Sequence, residues 1–173
     1  ILVVHRLDYE VSGLVLFALT ADAHREANKW FESRVVHKKY EALTEGDSSV
    51  IKPGREFYWE CKLLRGKKRA YESGMGKESR TRARVLAQVE FQGQSMIKWE
   101  LNPLTGRSHQ LRFELFRHGF PICGDELYGS KTVFAEKPDT IALRAVELDF
   151  RECGSKREEF ELPEVISVGG LGV

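Results

Sequence analysis

An aspartate, Asp8, lies in the run His5-Arg6-Leu7-Asp8, shortly ahead of Ser12-Gly13 and an apolar stretch. A carboxylate at such a place has two readings. It can attack an electrophilic sugar carbon, as in glycosidases that form a covalent intermediate, or it can cap the turn that the glycine closes. A second run, Pro103-Leu104-Thr105-Gly106-Arg107-Ser108-His109-Gln110-Leu111-Arg112, leads a glycine turn into a helix start. Free backbone N–H groups there can hold a phosphate, and Arg107, His109 and Gln110 are candidates to touch a bound substrate. The glycine spacing fits neither a Walker loop nor a GxGxxG element. Arg112, one turn into the helix, has the reach to form an ion pair with Asp8. A third run, Gly119 to Asp125 followed by Tyr128-Gly129, offers Asp125 as a second acid, or as a turn aspartate bonding nearby backbone.

The elements that must hold these residues follow from periodicity. Gly13 to Leu19 reads as a buried strand, and Thr20 caps a helix whose Ala23, Ala27, Trp30 and Phe31 share one face. Lys39 to Leu43 is a further strand. Ala83–Phe91 and Ser95–Leu101, parted by Gln92-Gly93-Gln94, predict an antiparallel hairpin. Ser108 is placed to cap a helix running to about His118, with Gly119 after it. Ile141 to Phe150 is a late strand, and the glycines at 169, 170 and 172 predict a frayed tail over about 163–173. Strands interspersed with two helices predict an α+β fold with a mixed, mainly antiparallel sheet flanked by helices.

The chain of 173 residues suits one domain, and its composition, 42% hydrophobic and 31% charged, is that of a globular protein with one real core. The net charge of +1 does not by itself point to nucleic acid. The distribution is more informative: Lys62, Arg65, Lys67, Lys68, Arg69, Lys77, Arg80, Arg82 and Arg84 crowd one stretch against Glu72 and Glu78. That patch is either a solvated hairpin or a polyanion-binding surface. Cys61, Cys123 and Cys153 are odd in number and widely spaced, which disfavours both a zinc site and a disulfide framework and fits a reducing, cytoplasmic compartment. No run approaches the length of a membrane helix. The chain opens at Ile1 within an apolar run, so the domain is expected to be partial at its N-terminus.

Three blocks carry a resemblance: HRLDxxxSGLxLxA from His5, KKYxAL from Lys38, and PxTGRxHQLRxxLxxxGxPIxGDxxYG from Pro103. In this order they resemble the RluA family of RNA pseudouridine synthases, from about His5 to Phe150. The resemblance implies a pseudouridine synthase catalytic domain over 1–173 acting as an isomerase on specific uridines in ribosomal or transfer RNA. It implies that Asp8 attacks the target nucleoside and that Arg6 occupies the space left by the flipped base. It also implies that Tyr40 packs on the uracil and can serve as base, that Arg112 pairs with Asp8, and that the enzyme is a monomer with no metal and no organic cofactor. Val11 stands where the family commonly has Thr, and Glu114 and Arg144 stand where it commonly has His. The last two positions are expected to bear on RNA contact.

The chemistry agrees with the resemblance. The reaction breaks the N1–C1′ bond, turns the uracil and rejoins its carbon 5 to C1′. It needs a nucleophile or a base that removes a sugar proton, and one carboxylate can do either. It also needs a pocket that retains the free uracil, which Tyr40 can line. Reaching a base inside folded RNA requires flipping, and Arg6 can stack and hydrogen-bond in the vacancy. Lys67, Lys68 and Arg69 then become candidate contacts to the RNA backbone. Two other readings remain: an RNA-binding protein or chaperone on the same fold without turnover, and a hydrolase using Asp8 and Asp125 as paired carboxylates. The hydrolase predicts the two carboxyl groups facing one another across a pocket, roughly 5–9.5 Å apart. Arg112 beside Asp8, with Asp125 withdrawn, would dispose of it.

Overall fold

The computed structural model describes residues 1–47, 49, 51–134 and 139–172. A two-stranded ribbon joins β1 (Leu2–Val3) to β3 (Phe17–Ala18), while β2 (Ser12–Gly13) between them leaves for the main sheet. Helix α1 (Ala21–Ser33) starts where the Thr20 hydroxyl accepts the Ala23 N–H at 3.2 Å, and it buries Ala27 and Trp30. Then come β4 (His37–Thr44), β5 (Glu56–Arg65), β6 (Ala70–Glu72), β7 (Lys77–Phe91) and β8 (Gln94–Pro103). Helix α2 (Gln110–Arg117), β9 (Leu143–Asp149), a short α3 (Lys156–Glu159) and β10 (Val165–Ser167) complete the fold. The main sheet runs β10-β9-β4-β8-β7-β5-β6, with every neighbouring pair antiparallel. The β2 strand adds to β9 in parallel, so the sheet is mixed and mainly antiparallel, as expected.

One face of the sheet is apolar. Leu43, Trp59, Val85, Trp99 and Leu101 pack there against Leu111 and Leu115 of α2 and against Ile122. The Trp59 and Trp99 rings lie 5.7 Å apart. A second cluster sets Trp30 of α1 against Leu148 and Phe150. The other face carries cross-strand ion pairs, Lys39–Glu147, Arg84–Glu100 and Lys98–Glu41. The helices thus cover the apolar side, and the C-terminal segment crosses part of the charged side at Glu41 and Lys98.

Four expectations need correction. The apolar run Gly13–Leu19 is not one buried strand. Gly13, at φ +118°, turns the chain so that β2 joins β9 and β3 joins β1, leaving Leu19 exposed. The hairpin loop is two residues, Gln92-Gly93, both at positive φ, so β8 begins at Gln94 rather than Ser95. Ser108 does not cap α2: His109 holds the cap position in a left-handed conformation without a side-chain bond, and the Ser108 hydroxyl accepts from Arg65 Nη1. The C-terminal segment is tied down rather than frayed. Strand β10 pairs with β9, the Leu171 N–H donates to Glu41 at 2.9 Å, and Lys98 Nζ donates to the Leu171 carbonyl at 2.8 Å.

Gly13 cannot be replaced freely. Its φ is costly for any residue with a side chain, and a Cβ there would run into the backbone of Ala145. Gly13→Ala is expected to lower stability by about 2 kcal/mol or more, read by urea denaturation.

Candidate active site

The site is organised by Arg112, which is 1% exposed. A buried guanidinium must find its countercharge inside the protein. Asp125, also 1% exposed, meets it with two parallel bonds, 2.7 Å to Nε and 2.8 Å to Nη2. Glu10 accepts from Nη1 at 3.0 Å and from Nη2 at 3.4 Å, and Asp8 lies 3.8 Å from Nη1. The Arg112 guanidinium also lies 5.4 Å from the centre of the Tyr128 ring. Burial works against the charge, but Asp125, Glu10 and Asp8 outweigh it and hold the Arg112 proton more firmly than in a free arginine.

The loop that carries Asp8 is laced to the sheet. The Val11 N–H closes a turn onto the Asp8 carbonyl at 3.0 Å. The Ile141 N–H donates to the Glu10 carbonyl at 3.1 Å, and Leu14 N–H to the Ala145 carbonyl at 3.0 Å. Asp8 is left with a quarter of its side chain, 25%, open to the cleft. Tyr40 reaches the same cleft from β4, just past a register shift between Lys39 and Tyr40. Burial, and then the charge of Asp8, push the Tyr40 phenol up to about 12. The phenol is therefore protonated at neutral pH. That suits packing on an apolar ring or donating a hydrogen bond better than abstracting a proton.

The turn after β8 is held from within. Gln110 Oε1 accepts from the Thr105 hydroxyl at 2.8 Å and from the Arg107 N–H at 3.0 Å, and its Nε2 donates to the Arg80 carbonyl and the Thr81 hydroxyl, each at 2.9 Å. Gln110 borders the cleft, but it is buried and its amide is saturated within the protein, so it fixes the turn that carries Arg107 and His109. Arg107 and His109 do line the cleft. Burial lowers the His109 imidazole, against the opposing pull of Asp8.

The cleft encloses about 790 Å³ and is lined by Arg6, Arg34, Lys38, Arg65, Arg80, Arg107 and Arg112 against Asp8 and Glu32. A nearly neutral protein therefore concentrates positive charge in one concavity. Lys67, Lys68 and Arg69 are exposed on the β5–β6 turn and do not line it. The expected basic stretch enters the cleft through Arg65 and Arg80 instead, because the pleat of β5 and β7 decides which side chains face it. Glu114 is sealed against Cys61 and Arg117 rather than presented to a ligand. Asp125 is neither a free turn aspartate nor a second acid in the cleft, since both its oxygens are spent on Arg112. This removes the paired-carboxylate hydrolase. Glu10 and Lys38 were missed as individual residues: Glu10 lacks a motif, and Lys38 was absorbed into the Lys-Lys-Tyr block.

Comparison with known proteins fits this geometry. Residues 1–117 match the family described as RNA pseudouridylate synthase. The chain is 36% identical over 151 residues to the dual-specificity RNA pseudouridine synthase RluA of Pasteurella multocida, covering 85% of this chain and 65% of that protein. With RluA of Vibrio vulnificus it shares 38% over 155 residues, covering 86% and 59%. Among solved structures, human RNA pseudouridylate synthase domain containing 1 superposes with a TM-score of 0.75 at 30% identity, over 86% of this chain and 63% of that one. The chain belongs to the RNA pseudouridylate synthases and, within them, to the RluA family. It spans 59–65% of the length of these two curated relatives.

Two outcomes follow. Asp125→Asn leaves Arg112 with a buried, half-compensated charge and is expected to cost about 3–5 kcal/mol in urea denaturation. His5 stacks on Phe31 at 4.7 Å, its Nε2 accepts the Leu16 N–H, and burial, then Lys38, lower its pKa from 6.5 to about 4. Between pH 6.5 and 4 the unfolded chain binds the His5 proton and the folded one does not, so the stability this group contributes is complete above pH 6.5 and is lost as pH falls toward 4. An NMR titration of the His5 ring should find its midpoint near 4; a midpoint at the ordinary histidine value would contradict this.

Proposed function

We propose that this chain carries the catalytic site of an RNA pseudouridine synthase, and that Asp8 is its nucleophile. The observation that carries the reading is the meeting of Asp8, Arg112 and Tyr40 in one cation-lined cleft. The Asp8 carboxylate attacks C1′ of the flipped uridine, and the N1–C1′ electron pair leaves with the uracil. Tyr40 packs on the freed ring while it turns, and its protonated hydroxyl donates a hydrogen bond to the uracil. Carbon 5 then attacks C1′ and displaces the carboxylate, and the hydrogen on carbon 5 leaves as a proton. The same carboxylate can instead begin by removing a sugar proton. Neither route requires a metal or an organic cofactor.

Arg6 lines the cleft beside Asp8 and is suited to fill the space left in the RNA stack. Arg107 and His109 line the same cleft and contact the bound nucleotide, and Arg65 and Arg80 take backbone phosphates. Lys67, Lys68 and Arg69 extend the positive surface beyond the cleft. The substrate is RNA, a reading supported by relatives named as RNA pseudouridine synthases, and we take it to be structured ribosomal or transfer RNA. The three buried, unpaired cysteines suit a reducing cytoplasm, and the enzyme acts as a monomer.

The test is nucleoside analysis of RNA after incubation with the parent and with Asp8→Asn. Pseudouridine should form only with the parent, while the variant keeps RNA affinity within about threefold, since one of many charges in the cleft is altered. Product from Asp8→Asn would remove Asp8 from the nucleophile role. Tyr40→Phe should slow turnover by about tenfold or more with little change in melting temperature, because only the hydroxyl is lost; equal loss of both would assign Tyr40 to packing alone.

A further inference from the structure

Two adjacent lysines of β4 meet opposite fates. Lys39 lies on the open face of the sheet and pairs with Glu147 at 3.1 Å. Lys38 turns into the cleft, two residues before Tyr40, and among the described residues no carboxylate lies within ion-pair distance of it. Its ammonium lies over Gly106: a Cβ built on that glycine would be 3.6 Å from Lys38 Nζ. The backbone there does not demand glycine, so the bare position leaves room beside the ammonium. Burial lowers the Lys38 pKa, and no neighbouring anion compensates. The carboxylates of the site do not supply that anion: Asp125 and Glu10 are committed to Arg112, and Asp8 approaches Arg112 as well.

A half-buried cation on the wall of a cleft, with no carboxylate of the protein beside it, is placed to take its countercharge from a ligand. Resting on the RNA reading above, we infer that Lys38 is the seat of a single RNA phosphate, the one 5′ or 3′ to the target uridine, and that it fixes the flipped nucleotide over Tyr40 and Asp8. A phosphate oxygen above Gly106 meets the ammonium directly, and the missing side chain at 106 admits it. Lys38 then acts as a positioning residue that exchanges water for an anionic partner when RNA binds.

The test uses RNA stem-loops with one loop uridine, unmodified or carrying a neutral methylphosphonate 5′ or 3′ to it. Affinity, turnover and melting temperature are measured for the parent, Lys38→Met and Lys38→Arg. Lys38→Met should melt no lower than the parent, because it removes a half-buried charge that has no ion-pair partner in the protein. It should bind unmodified RNA about 10- to 100-fold more weakly, the loss expected for one charge-assisted contact. Its salt dependence should flatten by about one phosphate contact. Lys38→Arg should recover part of the affinity. One methylphosphonate should weaken the parent by a similar factor and leave Lys38→Met unchanged, and its side identifies the phosphate. A parent that binds RNA while Lys38→Met binds equally well would overturn the proposal alone. So would a methylphosphonate penalty that adds in full to that of the variant, or a loss confined to the chemical step. A parent that neither binds nor converts any stem-loop would remove the RNA reading and this proposal with it.

Discussion

A guanidinium sealed from water must be neutralised by the protein itself, and the site depends on that requirement at Arg112. Its countercharges come from separate parts of the chain: Asp8 and Glu10 from the loop before β2, and Asp125 from the turn after α2. The division of labour follows from distance. Asp125 takes two bonds below 3 Å and is buried, so it anchors Arg112 to the core. Glu10 holds the outer edge of the guanidinium, and Asp8, farther off and partly open, keeps its carboxylate facing the cleft. Replacing such a cluster by apolar residues could yield a more stable fold, but it would lose the geometry that holds the Asp8 carboxylate open to the cleft.

The surrounding sheet serves that arrangement. The register shift in β4 accompanies the presentation of Lys38 and Tyr40 to the same cavity, while Lys39 goes to the opposite, charged face. The parallel pairing of β2 with β9 fixes the loop bearing Asp8 and Glu10, and Gly13 makes that close approach possible. Gln110 spends its whole amide on the turn over which Lys38 lies. The residues that hold Arg112 and the turn after β8 are tied by several bonds each, which favours a preorganised site.

That Asp8, Tyr40 and Arg112 meet in one cleft was legible in the sequence because each lies in a run whose order is distinctive, and the α+β class was legible because the strands of the central hairpin are long. Glu10 was not, since its value comes from the distance to a helix a hundred residues away. Gln110 looked like a ligand contact because a polar residue on a turn can point either way, and only its four bonds show that it points inward. Lys67, Lys68 and Arg69 attracted attention by clustering in sequence, whereas the cleft draws its cations from several elements. The C-terminal segment looked frayed because three glycines signal freedom; its tether, a salt-bridged Glu41 and Lys98 on the sheet, lies far away in sequence.

The central claim is that Arg112 works by geometry as well as charge. Arg112→Lys tests it: lysine keeps the positive charge but cannot form two parallel bonds to Asp125 while reaching Glu10 and Asp8. Tritium release from RNA labelled at carbon 5 of uracil, measured at a temperature where the variant is folded, gives the answer. The account predicts a loss of about a hundredfold or more, the scale of a misplaced catalytic group. Turnover equal to that of the parent would show that a positive charge alone suffices and would contradict it.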